Sequence, residues 1–296
     1  MLQICVYIER TAHNCNIGNL HYSNAQRGGN IAINGLLVTS LKRYDDTLTN
    51  LAAIMTYCVG VLLESGFVMA SDTRTNAGVD QVATFSKMTT FEVNGERSIV
   101  MLTAGNLAVS QAVLQHLHKG IATNGAANLH NVSNMFDAAR VVGEAIRAVH
   151  REDAEHLRHH NADFNISVLF GGQILGERPR LFSIYSAGNF IEASQETPFF
   201  QTGETKYGKP ILDRVINYKC SLEDALKCVL ISFDSTIRSN VSVDLPVDVL
   251  VYRSDNLSIN CRHRISENDP YFLSIRQHWG EGLRRVFAEI PVPDWC

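Results

Sequence analysis

The stretch that decides the fold runs Thr56-Tyr57-Cys58-Val59-Gly60-Val61-Leu62-Leu63, then Glu64-Ser65-Gly66, then Phe67-Val68-Met69-Ala70-Ser71-Asp72. Two apolar runs around a short polar segment that ends in Gly signal a β-hairpin. A three-residue loop usually ends in a residue at positive φ, a place Gly66 fits. Leu63 then pairs with Phe67, Cys58 with Asp72 and Thr56 with Arg74. Opposed residues share a face, so Thr56, Cys58, Asp72 and Arg74 are expected together, with Asp72 in side-chain reach of Thr56 as its diagonal neighbour. A two-residue loop would put Asp72 on the opposite face. In the extended stretch beyond, Lys87 shares parity with Phe85, Thr89 and Phe91, so a partly buried lysine is expected. Burial disfavours its charged form, and a neighbouring carboxylate favours it.

Outward from the hairpin, periodicity predicts further extended segments over 82–93 and 98–104, then helices over 106–118 and 135–158. Strands follow over 164–170, 181–187 and 190–193, helices over 209–215 and 221–237, a strand over 248–253 and a helix over 271–288. This order argues for an α+β fold with antiparallel sheets and helices in separate layers. The texture differs before Met55. Residues 1–54 are rich in Asn and polar residues, and only 30–54 suggests a short helix. The expected organisation is a doubtful N-terminal extension over 1–54 and one domain over 55–296.

Composition narrows the function. The chain has 296 residues, 45% of them hydrophobic, and a formal net charge of -4, with 26 Lys+Arg against 30 Asp+Glu. No basic excess points to nucleic acid, and no apolar run has the length of a membrane span. Seven cysteines, an odd number with no CxxC spacing and no secretory signal before them, argue for a reduced, cytoplasmic protein rather than a disulfide framework. There is no Walker A motif, hence no ATPase in this chain. His150, His156, His159 and His160 cluster near Glu152 and Asp153. Glu152, His156 and His160 fall on one helix face, but without HExxH the cluster reads as a solvated face, and no metal or cofactor is expected. His116 and His118 read as surface residues, and 171–176 (Gly-Gly-Gln-Ile-Leu-Gly) as a loop between strands. Cys58 shares the expected Thr56 face, where a buried strand cysteine is a plainer role than a nucleophile.

Singly, Thr56 is an ordinary β-former, Asp72 a turn residue or cap, and Lys87 a snorkelling side chain. Together with their neighbours they resemble a family. Met55-Thr56-Tyr57-Cys58-Val59-Gly60, Ala70-Ser71-Asp72-Thr73-Arg74, Ser86-Lys87-Met88 and Thr103-Ala104-Gly105 look like proteasome-type β subunits, and most of all their bacterial Anbu branch. Residues 203–214, Gly-Glu-Thr-Lys-Tyr-Gly-Lys-Pro-Ile-Leu-Asp-Arg, add to the likeness.

The resemblance implies an N-terminal nucleophile hydrolase, a four-layer αββα sandwich of two antiparallel sheets. Thr56 matches the nucleophile, Asp72 the aspartate that orients a lysine, Lys87 that lysine, and Gly105 a backbone oxyanion donor. The sequence departs from the family's outer network. Glu204 stands in the serine's place of a Gly-Ser-Gly turn, and 239–244 carries no aspartate at its first position, so Ser239, Asn240 or Ser242 would serve. The implied activity is threonine-type peptidase action on peptides or unfolded protein. The implied partners are copies of the chain itself in a ring or spiral, with a separate unfoldase conceivable. Rival readings are a catalytically weak assembly subunit and a small-molecule amidase.

The mechanism needs a free α-amine on Thr56, which here follows Met55 rather than Gly. Methionine before a small residue is the arrangement that methionine aminopeptidase trims. Translation is therefore expected to begin at Met55, with a propeptide cut by another route as the rival.

Overall fold

The computed structural model describes residues 56–76, 82–123, 125–160, 162 and 164–295. The expected helix within 30–54 and the status of 1–54 lie outside them. The first hairpin is β1 (Tyr57–Leu63) and β2 (Gly66–Asp72), with every residue buried. A short ribbon follows, β3 (Arg74–Asn76) with β4 (Val82–Thr84). Next come β5 (Met88–Val93), β6 (Arg97–Gly105), α1 (Leu107–Ala122) and α2 (Met135–His159). Then run β7 (Ile166–Ile174), β8 (Arg180–Ile184), β9 (Phe190–Glu192) and β10 (Phe199–Gly203). Helices α3 (Lys209–Val215) and α4 (Leu222–Ser239), strands β11 (Val247–Arg253) and β12 (Cys261–Ile265), and helix α5 (Pro270–Glu289) complete the order.

The strands form two five-stranded antiparallel sheets, ordered β10-β1-β2-β11-β12 and β5-β6-β7-β8-β9. Cys58, Leu62, Phe67 and Met69 of the first sheet meet Val100, Leu102 and Leu169 of the second. On the outer face of the first sheet, Tyr57, Val59, Val61, Val68 and Ala70 pack against α3, α4 and Phe272 of α5. On the outer face of the second, Ile99, Met101, Val168 and Phe170 pack against α1 and α2. The result is the αββα sandwich. Because β1 and β2 are covered on both faces, they run apolar rather than alternating up to Ser71 and Asp72 at the end of β2. The helices begin where side chains satisfy free N–H groups. Asn106 accepts from the Ala108 amide, Asn134 from that of Asp137 and Ser221 from that of Asp224.

The structure corrects three sequence expectations. Leu63 pairs with Gly66 and Cys58 with Ser71, so the hairpin loop is the two residues Glu64-Ser65 and not three. Gly66 belongs to the strand. A Cβ there would meet the Tyr252 carbonyl oxygen of β11 at 1.9 Å, so glycine answers a close backbone approach. The shared face of Thr56, Cys58, Asp72 and Arg74 is lost with that register. Gly171 to Ile174 are strand, not loop, pairing across to β6 from Val100 to Arg97. Lys87 precedes β5, and its neighbours by parity separate: Phe85 is exposed, while Phe91 packs under the helices.

Candidate active site

The site forms where the first hairpin, the segment before β5 and the end of β6 converge. Asp72 ends β2 with its side chain fully buried. Its Oδ1 accepts the backbone N–H of Tyr57 at 3.0 Å and Lys87 Nζ at 2.7 Å. So Asp72 reaches β1 through the peptide that follows Thr56, not through the shared strand face that the three-residue loop implied. Lys87 is 8% exposed, and its Nζ also donates to the Arg74 carbonyl at 2.7 Å. The Lys87 carbonyl accepts the Thr103 N–H at 3.0 Å, and the Thr103 carbonyl receives the Cys58 thiol at 3.8 Å. One short strand end of the second sheet thus fastens the lysine segment and faces β1.

Burial pushes the Asp72 carboxyl up from 3.8 to about 6, although the Lys87 charge and the hydrogen bonds from Lys87 and Tyr57 pull the other way. Burial also drives the Cys58 thiol far above its ordinary range, against the pull of Lys87. Cys58 is therefore a neutral core thiol next to the ion pair.

Thr56 is itself buried, and its carbonyl accepts the Glu204 N–H at 2.7 Å. That contact depends on Gly203, which has φ 84° and whose Cβ would stand 1.8 Å from the Thr56 oxygen. The Glu204 side chain is buried, accepts from Asn240 Nδ2 at 2.6 Å and pairs with Lys206 Nζ at 3.4 Å. Asn240 Oδ1 accepts the backbone N–H of Ser242 at 2.9 Å and its hydroxyl at 2.6 Å. Glu204, Asn240 and Ser242 are thus brought into one network fastened to Thr56. Ser239, the last residue of α4, stays exposed. Gly105 ends β6 at φ 108°, where a Cβ would lie 2.4 Å from the Asn165 oxygen.

The histidines do not converge. His150 packs edge-on against Phe164, and His116 meets Glu152 at 3.3 Å. Among the described residues no group of three or more His, Cys, Asp or Glu could hold a metal ion. None of the described helices is long and apolar enough to cross a membrane.

Sequence reasoning missed β10, the edge strand that delivers Gly203 and Glu204. The bulky run Phe199-Phe200-Gln201-Thr202 carried a strand signal. It also missed Ser86 and Asp248, joined at 2.7 Å beside the lysine.

An αββα sandwich with a buried lysine–aspartate pair fastened to the amide after Thr56 is the frame of a proteasome-type subunit. The proteasome-subunit family model matches residues 56–251, and the chain belongs to that family. Within it the chain is similar to solved Anbu structures. It is 50% identical to Anbu (ancestral beta-subunit) from Yersinia bercovieri, with TM-score 0.76, over 80% of this chain and 98% of that one. It is also 50% identical to the chain in a helical assembly of the Anbu complex from Pseudomonas aeruginosa, with TM-score 0.77 and the same coverage. A Gly-1 mutant of Anbu from Hyphomicrobium sp. strain MC1 is 47% identical, with TM-score 0.76, over 81% of this chain and 99% of that one. No curated protein matches the chain.

Proposed function

We propose that this subunit is a threonine-type peptidase in which Thr56, freed of the residues before it, cleaves peptide bonds in protein breakdown. The observation that carries the reading is the buried Lys87–Asp72 pair at 2.7 Å, whose Oδ1 also holds the amide next to Thr56. Lysine and aspartate buried together suit electrostatic work on a neighbour, because a fixed charge acts strongly where water is excluded.

The Thr56 hydroxyl attacks the peptide carbonyl carbon and its proton passes to the α-amine, which titrates near pH ~8 and so is a better neutral-pH base than a lysine. The Lys87 charge lowers the pKa of the hydroxyl, while Asp72 holds that charge in place. The oxyanion takes backbone N–H donors, Gly105 among them. The protonated amine gives its proton to the leaving nitrogen as the C–N bond breaks, and water then hydrolyses the ester. The match to the family model starts at residue 56, in keeping with Thr56 as the mature first residue. We assign the working domain to 55–296, with Met55 removed in the mature subunit.

An epoxyketone or β-lactone probe tests this. The wild-type chain is expected to be labelled on Thr56, with mass spectrometry finding Thr56 as the N-terminus. Thr56→Ala is expected to stay unlabelled. Equal labelling of both proteins would defeat the assignment.

The chain is also proposed to assemble with copies of itself, as its Pseudomonas relative does in a helical assembly. The far half of α5 supports this. Leu283, Val286, Phe287 and Ile290 repeat at helical spacing, and every residue over 283–295 is exposed. Such a stripe requires cover, and the family model stops at residue 251, short of it. The Anbu structures match about 80% of the chain, more than 56–251 spans. Light scattering is expected to show a large oligomer that Phe287→Asp breaks down. A wild-type monomer would favour the amidase reading.

A further inference from the structure

Asp248 is a second buried carboxylate beside the lysine-bearing segment. It lies in β11, opposite Ser71 of β2 on one side and Arg264 of β12 on the other. It is 1% exposed. Its Oδ1 accepts Arg264 Nε at 2.7 Å, and its Oδ2 accepts Arg264 Nη2 at 2.9 Å and the Ser86 hydroxyl at 2.7 Å. Ser86 immediately precedes Lys87, in the connection between β4 and β5.

Lysine is a compact charge on a flexible four-carbon stem, so a productive contact to Asp72 depends on where the backbone at residue 87 is held. The Phe85 N–H on the Thr73 carbonyl at 2.8 Å and the pairing of Met88 with Leu102 hold the segment on either side, and two contacts act at Ser86 and Lys87 themselves. The Thr103 N–H to the Lys87 carbonyl fixes one side. The Ser86 hydroxyl fixes the other, with Asp248 Oδ2 at 2.7 Å as its shorter and charged acceptor and the Met88 carbonyl at 3.2 Å as the longer one. Ser86 is exposed, so water competes for its hydroxyl, and the charge on the acceptor favours the protein bond. Arg264 supplies the counter-charge that keeps Asp248 ionised inside the sheet, which leaves the charge of Lys87 to Asp72.

We propose that Asp248, acting through Ser86, is a positioning residue that seats Lys87 on Asp72. This rests on the reading that the Lys87–Asp72 pair serves Thr56, and its test separates the two. In the chain expressed from Met55 and matured to Thr56, Ser86→Ala is expected to slow probe labelling of Thr56 about tenfold. The acid limb of the labelling rate should move to higher pH, because Asp72 loses part of its compensation by Lys87. Ser86→Thr should restore both the rate and the profile. Asp248→Asn is expected to act in the same direction, and the exposed Ser86 remains the test if that buried change prevents folding. A Ser86→Ala protein with the wild-type rate and pH profile would overturn the positioning role.

If wild type itself is not labelled, the Thr56 reading fails and the positioning claim is still decided. The Asp72 carboxyl is titrated directly by carbon-13 NMR, in wild type and in Ser86→Ala, with Asp72→Asn to assign the signal. An upward shift in Ser86→Ala supports the seating of Lys87, and an unmoved titration overturns it.

Discussion

Asp72 and Asp248 end up almost equally buried on neighbouring strands, each in an ion pair, yet they titrate in opposite directions. Asp72 is raised to about 6, and Asp248 is lowered below the ordinary carboxylate value. Burial is the largest influence on both and raises both. The difference lies in the depth of each carboxyl, Asp72 being set further from solvent than Asp248 with its half-exposed Arg264 partner, and in what faces the oxygens. Asp248 takes two bonds from the planar guanidinium of Arg264 and one from Ser86. The Lys87 ammonium and the Tyr57 amide both fall on a single oxygen of Asp72. A forked, fully used carboxylate is a structural anchor. One held by a point charge is poised to lose or share that charge. The contrast separates a carboxylate fully used in pairing β11 with β12 from one whose charge is met on a single oxygen.

The largest effect that sharpens this contrast is expected from Lys87→Met. Breaking a buried pair from one side costs about 3–5 kcal/mol, so urea unfolding at neutral pH should show a loss of that order, with labelling of Thr56 falling to the level of Thr56→Ala. Arg264→Gln comes next. Its side chain is half exposed and water can reach part of the vacated space, so a loss of about 1–3 kcal/mol is expected, with a smaller effect on labelling than Lys87→Met. Comparable losses in both assays would erase the distinction between anchor and chemical group.

The pH dependence follows, and here the signs differ. The folded pKa of Asp72 lies above its unfolded value, so its ionisation costs stability above about 6, and that cost is relieved as pH falls from 6 towards 3.8. Activity should fall over the same window, because the lysine loses its partner's charge. Asp248 behaves oppositely: its contribution is present above 3.8 and is lost only as pH falls through its lower folded pKa. Thermal melts of wild type and Asp72→Asn between pH 4 and 7 check this, since the Asp72 contribution to the slope should vanish in the variant. The smallest effect is expected from Arg253→Ala. It removes a 2.6 Å contact with Glu223 in which both side chains are about two-thirds exposed, and the melting midpoint should not move measurably.

Much of this was legible beforehand for stated reasons. The helices announced themselves through their apolar periodicity, and the prediction over 209–215 coincides with α3. Most strands of both sheets were visible as apolar runs, but the edge strands β10 and β12 were not, β12 being the polar run Cys261-Arg262-His263-Arg264-Ile265. The ordered set of Thr56, Asp72 and Lys87 pointed to the family. The hairpin register was not legible. Alternation reveals register only when one face of a strand meets water, and β1 and β2 are buried on both. A one-residue slip therefore left the apolar pattern unchanged while moving Asp72 to the other parity. Gly66 fitted a loop equally well until β11 was laid beside it. Gly171 and Gly172 read as loop for the same reason, since what demands a small residue there is Met69 and Ser98 from other strands.

What the sequence alone determined is most of the inventory: the helices, the majority of the strands and their layering as an α+β fold, together with a family resemblance carried by particular residues. Those properties follow from local pattern and residue type. Tertiary structure decided the pairings. It put Asp72 on the amide after Thr56, tied Glu204 to Asn240, aligned Asp248 with Ser86, and left the far half of α5 uncovered. Each of these joins groups far apart in the chain, or leaves a face without a partner. Neither outcome has a local energetic signature, because the competing arrangements bury the same residues and differ only in which atoms meet.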